Sequence, residues 1–298
     1  MSKSFHTEKA AMRAAFDKAA TSYDAAAVLQ REVADRMFER LDYIKVNPLT
    51  VLDAGCGTGY CAPQLQTLYK DARLIELDLA PGMLQVARAK EGGGFKKLWA
   101  SLRGQGAAYL CADIESLPLA DESVDVIWSS LTLQWCNEPD AAFAEFTRVL
   151  KPGGLLMFST LGPDTLKELR ASFAAVDDKE HVNRFIDMHD LGDALVKNGL
   201  STPVMDMEYL TMTYDSAKAI MQDLKDIGAH NVAEGRSRGM LGKAAWQKIV
   251  AEYETFRRDG LLPCTYEVVY GHAWKPLTQP ARKNADGSQI IEFRPRPA

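Results

Sequence analysis

The sequence predicts an α/β fold built on a doubly wound, mostly parallel sheet, and three features of its first half carry that expectation. Short apolar runs alternate with helical patterns, as successive β-α units require. The first run, Val51-Leu-Asp-Ala54, leads straight into Gly55, Gly57 and Gly59. Glycines at alternate positions let the backbone bend sharply from strand to helix and approach a ligand without a Cβ in the way. A second run, Arg73-Leu-Ile-Glu-Leu-Asp78, ends in an acid at the spacing, roughly 20 residues on, where a doubly wound sheet presents a carboxylate to a ribose.

Taken in order, residues 24–43 place Val28, Leu29, Val33, Met37, Phe38 and Leu41 at intervals of three and four, with charged residues between them. That spacing predicts an amphipathic helix packed ahead of the sheet. Strands are expected at 49–54, 73–78, 107–112, 124–130 and 154–160. Pro81 suits the first turn of a helix whose buried face is Met83, Leu84, Val86 and Ala87. The stretch 91–106, rich in glycine and mixed charge, reads as a surface insertion to which no chemistry is assigned. Pro139 opens a helix with Phe143, Phe146, Val149 and Leu150 facing inward, and Lys151-Pro-Gly-Gly154 is expected to turn it into the fifth strand.

Helical patterns at 163–175 and 189–198 then precede an extended run near 203–213, helices at 215–227 and 243–258, and a last strand at 264–274. The segment 161–190, the long stretch between the last two strands and the N-terminal helix are natural material for a lid over the crevice at the strand ends. A single domain is expected over 1–275, divided into an N-terminal helical segment 8–45, a core 46–160, lid and substrate elements 161–262 and the last strand. The tail 276–298 carries Arg282, Lys283, Arg294 and Arg296 among Pro and Gly and is expected to be disordered.

A chain of 298 residues with 47% hydrophobic content can bury one large core. Its net charge of −5 and pI of about 5.6 argue against a broad nucleic-acid-binding surface. No run approaches the roughly 20 apolar residues of a membrane span, and Met1-Ser-Lys-Ser-Phe-His-Thr-Glu-Lys9 has no apolar leader core. Five cysteines without a CxxC pair suit a reducing compartment and no zinc. A cytoplasmic protein with neither nucleic acid nor membrane as partner is expected.

The glycine turn narrows the ligand. A dinucleotide turn seats its pyrophosphate with G-x-G-x-x-G, whereas Gly59 here comes one position early. No pyrophosphate need be bound, and S-adenosylmethionine becomes the leading cofactor, with Asp78 accepting from both ribose hydroxyls. A third block, Cys111-Ala-Asp-Ile-Glu-Ser-Leu-Pro-Leu119, puts Asp113 just after one strand and ahead of another. Together these blocks resemble the class I methyltransferases. The resemblance implies the strand order 3-2-1-4-5-7-6 with an antiparallel final pair, Asp113 facing the adenine amino group and Ile114 packed on the ring. Further cofactor contacts are expected from Asp53 and the three glycines, from Leu79 beside Asp78, from Met83, from Ser129 at the end of the fourth strand, and from Gln30.

Other segments narrow the family. Phe16-Asp-Lys-Ala-Ala-Thr-Ser-Tyr23, Leu29-Gln30, Leu133-Gln-Trp-Cys136, His181-Val-Asn-Arg-Phe185, Leu224-Lys-Asp-Ile-Gly-Ala229 and Pro263-Cys-Thr-Tyr-Glu-Val-Val-Tyr-Gly-His-Ala-Trp-Lys-Pro276 resemble the malonyl-[acyl-carrier protein] O-methyltransferase family. That resemblance implies methylation of the free carboxylate of a malonyl thioester, on acyl carrier protein or coenzyme A, to start pimeloyl synthesis for biotin. Such a carboxylate is ionised near neutral pH and needs no general base. Arg184, whose fork suits a carboxylate, is the expected clamp, with His181 beside it. Tyr23 belongs to a segment that in similar enzymes folds over the cofactor, and Gln134 sits where acceptor contacts arise. Acyl carrier protein is acidic, so Arg236, Arg238 and Lys243 are expected to form a docking surface. Two other readings stay open: the mitochondrial assembly factors of respiratory complex I that modify protein arginine, which share parts of these motifs, and a non-catalytic S-adenosylmethionine-binding protein.

Overall fold

The computed structural model describes residues 8–91, 107–177, 179, 181–229 and 242–277. Most of the expected insertion, Arg236, Arg238 and the tail from 278 lie outside them. Strand β1 (Thr50–Ala54) pairs in parallel with β2 (Arg73–Asp78) on one side and with β4 (Val124–Ser130) on the other. β3 (Ala108–Cys111) extends the sheet beyond β2, and β5 (Leu150–Leu161) lies beside β4. β7 (Leu262–Trp274) and β6 (Ser201–Tyr214) close the far side as antiparallel neighbours. The order is β3-β2-β1-β4-β5-β7-β6, as the resemblance to class I methyltransferases implied.

Side chains alternate across the pleat, so the apolar runs feed two cores. Val51, Val126 and Trp128 pack with Val33, Met37 and Leu41 on one face, while Leu52, Ile127 and Phe158 pack with Phe143 and Phe146 on the other. Burial on both faces is why these strands read as continuous hydrophobic runs rather than as an alternating pattern. Phe38 stacks on Trp128 with ring centroids 4.2 Å apart, which docks the N-terminal helix onto the sheet.

That N-terminal region differs from the expectation of one helix over 24–43. It forms α1 (Lys9–Ala19), the short α2 (Tyr23–Ala26) and α3 (Val28–Leu41), with Ala27 at φ −76°, ψ 50° breaking the last two apart. The break has a cause: Asp24 accepts from Thr58 Oγ1 at 2.5 Å and pairs with Lys90 at 2.6 Å, which ties α2 to the glycine turn and leaves α3 free to follow the sheet. Lys151–Gly154, expected as a turn ahead of the fifth strand, is instead an irregularity inside β5. Its pairing register with β4 shifts there, Gly153 takes φ +80°, and backbone bonds of 2.8 and 2.9 Å join Gly153 and Gly154 to Lys275.

The remaining helices are α4 (Ala62–Leu68), α5 (Pro81–Lys90), α6 (Pro139–Val149), α7 (Lys167–Ala174), α8 (Met188–Lys197), α9 (Ala217–Asp226) and α10 (Lys243–Glu254). α7 is shorter than its pattern because Leu166 turns into the left-handed region at φ +56°. It is anchored by Glu168, a buried carboxylate that accepts from Thr265 N at 3.1 Å and Oγ1 at 2.5 Å. Among the described residues no helix is long and apolar enough to cross a membrane.

Candidate active site

A cavity of about 300 Å³ opens at the carboxyl ends of β1, β2 and β4. The glycine turn forms its floor. Gly55, Gly57 and Gly59 sit at φ +87°, +54° and +77°, and the N–H groups of Gly55 and Cys56 both donate to Leu77 O, at 2.7 and 2.9 Å. A Cβ on Gly57 would meet nothing within 4 Å, so its backbone is bared to the cavity. Asp78 braces this turn, one carboxylate oxygen accepting from Gly57 N–H at 2.9 Å and the other from Ala80 N–H at 2.8 Å. Burial pushes the Asp78 carboxyl up to about 6 against the pull of those two backbone bonds.

Leu79, Met83 and Ile114 line the same end, as does Asp113. Asp113 accepts from Glu115 N–H at 3.0 Å and, with Glu115, holds the ammonium of Lys9 reaching down from α1. α1 is further seated by Asp17, which accepts from Gly82 N–H at 2.6 Å, and by Phe16, edge-on to Trp135 at 5.2 Å. Tyr23 and Gln30 face the cavity from α2 and α3. Burial and the nearby Asp78 raise the Tyr23 phenol far above its usual range, and Gln30 Oε1 is buried without a hydrogen-bond partner.

Three of the expected cofactor residues stand behind this surface rather than on it. Asp53 is 1% exposed and outside the lining. Gly59 faces the packing side, where an added Cβ would lie 3.0 Å from both Ala87 Cβ and Glu76 Oε2. Ser129 is fully buried and donates to Ala54 O at 2.8 Å, while the next residue, Ser130, lines the cavity. The one-residue offset follows from the period of two along a strand.

Asp53 and Glu76 form a buried acidic pair under the turn, each with one carboxylate oxygen lacking a partner. Burial raises both, Glu76 to about 7 from 4.5 with further help from Glu91. A raised native pKa means that the native state keeps a proton the unfolded chain has lost, so this contribution to stability falls as pH rises from the usual carboxylate range through about 7. Glu76→Gln is therefore expected to gain stability relative to wild type between pH 5 and pH 8, by about 2 kcal/mol. Urea unfolding at the two pH values checks this; an unchanged gap would show that Glu76 is not titrating there.

The opposite half of the cavity is apolar, with Leu166, Leu169, Phe173, Val182, Leu224 and Tyr266 on its walls. They come from α7 and its N-cap Leu166, the 181–185 segment and α9, all within the segments expected to form a lid, and from β7. Gln134 sits between the halves, donating to Leu131 O at 2.7 Å and accepting from Thr160 Oγ1 at 3.4 Å. His181 lines the wall with Nε2 2.7 Å from Asp177 Oδ1 and its ring stacked on Phe173 at 4.2 Å. Arg184, the expected carboxylate clamp, is exposed and outside the lining; its neighbours Asn183 and Phe185 line the cavity instead. Sequence reasoning did not single out Lys9, Asn183 or Lys225. Asn183 and Lys225 fall inside motifs quoted for the family, but a motif does not say which of its side chains turns inward.

The bared Gly57 backbone, the braced Asp78 and the unpartnered Gln30 oxygen fit an adenosyl cofactor with a polar amino-acid end. Fold and crevice together define a class I S-adenosylmethionine-dependent methyltransferase. Residues 52–158 match the family model described as a methyltransferase domain. The YcgJ protein of Bacillus subtilis shares the fold at 18% identity, with a TM-score of 0.55 over 80% of this chain and 97% of that one. Far nearer in sequence are malonyl-[acyl-carrier protein] O-methyltransferases of Laribacter hongkongensis, 58% identical over 99% of both chains, and Gallionella capsiferriformans, 56% identical over 97% of both. The chain belongs to the malonyl-[acyl-carrier protein] O-methyltransferase family.

Proposed function

We propose that this protein methylates the free carboxylate of a malonyl unit presented on acyl carrier protein. The observation that carries the reading is the division of charge within the cavity. Among the described residues that line it, the carboxylates Asp78, Asp113 and Glu115 all belong to the cofactor end, and the acceptor end is apolar apart from amide, imidazole, phenol and ammonium groups. A guanidinium acceptor would need carboxylates to hold it and a base to take its proton, so the arginine-modifying reading fits this chamber poorly. A carboxylate acceptor needs neither.

In this reading Asp78 receives the ribose hydroxyls and Asp113 the adenine amino group, with Ile114 and Met83 packed on the adenosyl moiety and Tyr23 and Gln30 at its methionine end. When bound, S-adenosylmethionine supplies a methyl carbon on a positive sulfur, to which a carboxylate oxygen bonds as the carbon–sulfur bond breaks, with no proton to move. The chain contributes placement. Gln134, held at both ends of its amide, keeps the wall between the two halves rigid, and the apolar lid strips water from the attacking oxygen. Holding the partners in line in this way is worth on the order of 7 to 11 kcal/mol in well-oriented intramolecular reactions. The docking surface remains the basic one expected from sequence, of which Lys243 opens α10 and is exposed. The cytoplasm, where acyl carrier protein is found, is the matching compartment.

Purified protein incubated with methyl-labelled S-adenosylmethionine and malonyl-acyl carrier protein, malonyl-coenzyme A or arginine peptides tests this directly. A base-labile methyl ester formed on the carrier protein, with kcat/KM at least about tenfold above that on coenzyme A, is the expected product. Base-stable label on arginine, or no transfer to any acceptor, would overturn the reading.

A further inference from the structure

An ionised acceptor buried among leucines and phenylalanines needs a counter-charge and a hydrogen-bond partner, since an unpaired charge in an apolar site is costly. The basic side chains on the cavity wall can be accounted for one by one. Lys9 is committed to Asp113 and Glu115. His181 is held by Asp177 and stacked on Phe173. Lys225, on α9 between the buried Leu224 and Ile227, lines the cavity, and its ammonium makes no ion pair or hydrogen bond among the described residues. The acids flanking it are occupied elsewhere, Asp223 by Tyr214 Oη at 2.6 Å and Asp226 by Gln222 Nε2 at 2.6 Å.

Asn183 presents a second unmet demand. Asn183 lines the same cavity, and its Oδ1 is buried with no hydrogen-bond partner among the described residues. A buried polar group left unpaired costs roughly 1 to 3 kcal/mol, and this one sits beside the buried Val182 on the cavity wall, where a ligand in the cavity could meet it. An amide both donates and accepts, which suits the carbonyl and carboxylate oxygens that a short dicarboxylic thioester brings together.

Resting on the acceptor reading above, we infer that Lys225 and Asn183 are the specificity-determining residues for the acceptor: Lys225 supplies the counter-charge to its free carboxylate, and Asn183 hydrogen-bonds the acyl group beside it. Lys225 is an exposed residue that also lines the cavity, as suits a lysine that covers apolar wall with its stem and keeps its ammonium in water. On this inference the anion would be held from the solvent side, away from the cofactor end.

The test uses malonyl-pantetheine, which has no protein to dock, and its uncharged malonamyl analogue as a competitive inhibitor. Lys225→Gln is expected to lower kcat/KM for malonyl-pantetheine at least about tenfold, to leave malonamyl inhibition and S-adenosylmethionine affinity unchanged, and to be largely rescued in Lys225→Arg. Asn183→Leu should weaken the malonyl and malonamyl compounds alike while sparing cofactor affinity. If Lys225→Gln impairs only malonyl-acyl carrier protein and not malonyl-pantetheine, Lys225 belongs to docking and the inference fails. Equal loss of charged and uncharged compounds in Lys225→Gln, or full retention in Asn183→Leu, also overturns it. Absence of ester from wild-type enzyme with either malonyl thioester would sink the acceptor reading itself, and it would be seen before any variant is made.

Discussion

Asp78→Ala is expected to weaken S-adenosylmethionine binding at least about 100-fold, close to 3 kcal/mol, because a charged acceptor for hydroxyl donors is lost. The loss has two parts. The same carboxylate that faces the cavity also accepts from Gly57 N–H and Ala80 N–H, so its removal releases the glycine turn as well as the ribose. The fold should survive. Burial raises the Asp78 carboxyl to about 6, so its charge above that pH costs stability in the absence of ligand, and deleting it removes a penalty along with two hydrogen bonds. For the same reason wild-type cofactor affinity should fall as pH drops through about 6, whereas Asp78→Asn should show a flatter profile. Calorimetry that finds wild-type affinity in a folded Asp78→Ala protein would remove this residue from the site.

Gly55→Ala is expected to be the most destabilising single substitution in the turn, by about 3 kcal/mol, from overpacking and backbone strain together. At φ +87° an L side chain is already disfavoured, and the new Cβ would lie 2.1 Å from Thr132 Oγ1 and 2.7 Å from Thr132 Cβ. Thr132→Ala should not rescue it, since the Cβ clash stays; Thr132→Gly should recover the overpacking share and leave the strain. Gly57→Ala is the contrast. Its φ of +54° lies in the left-handed region and its Cβ would meet open space, so stability should drop only about 1 kcal/mol while cofactor affinity falls. Thermal unfolding and calorimetry on the two alanine variants separate the effects; similar stability losses at both positions would mean that neither close approach nor open space distinguishes them.

The sheet and the cofactor end were legible in the sequence because both depend on local pattern. Apolar runs, Pro81 and Pro139 at helix starts, and glycines at 55, 57 and 59 act through the backbone of a few neighbouring residues. Short right-handed connections then favour a parallel sheet, while its order, β3-β2-β1-β4-β5-β7-β6, was implied by the family resemblance that these motifs carry. Asp78 and Asp113 were legible as cavity residues for the same reason, Asp78 closing β2 and Asp113 lying just past β3.

What the tertiary structure alone decided is which side chains turn inward and what they meet. Ser129 and Ser130 differ by one position on β4, and the pleat sends one to the core and the other to the cavity. Arg184 was chosen for its chemistry and lies outside the lining, while the adjacent Asn183 lies within it; in an irregular segment no period tells one from the other. Lys9 meets Asp113 across 104 residues of chain, and α1 becomes the cover of the cavity only through such long-range pairs. Strand identity and the cofactor turn follow from local pattern, because backbone sterics and hydrophobic period act over a few neighbouring residues. The acceptor chamber was decided by α1, α7, the 181–185 segment and α9 converging over the strand ends, because its walls and charges belong to residues that only folding brings together.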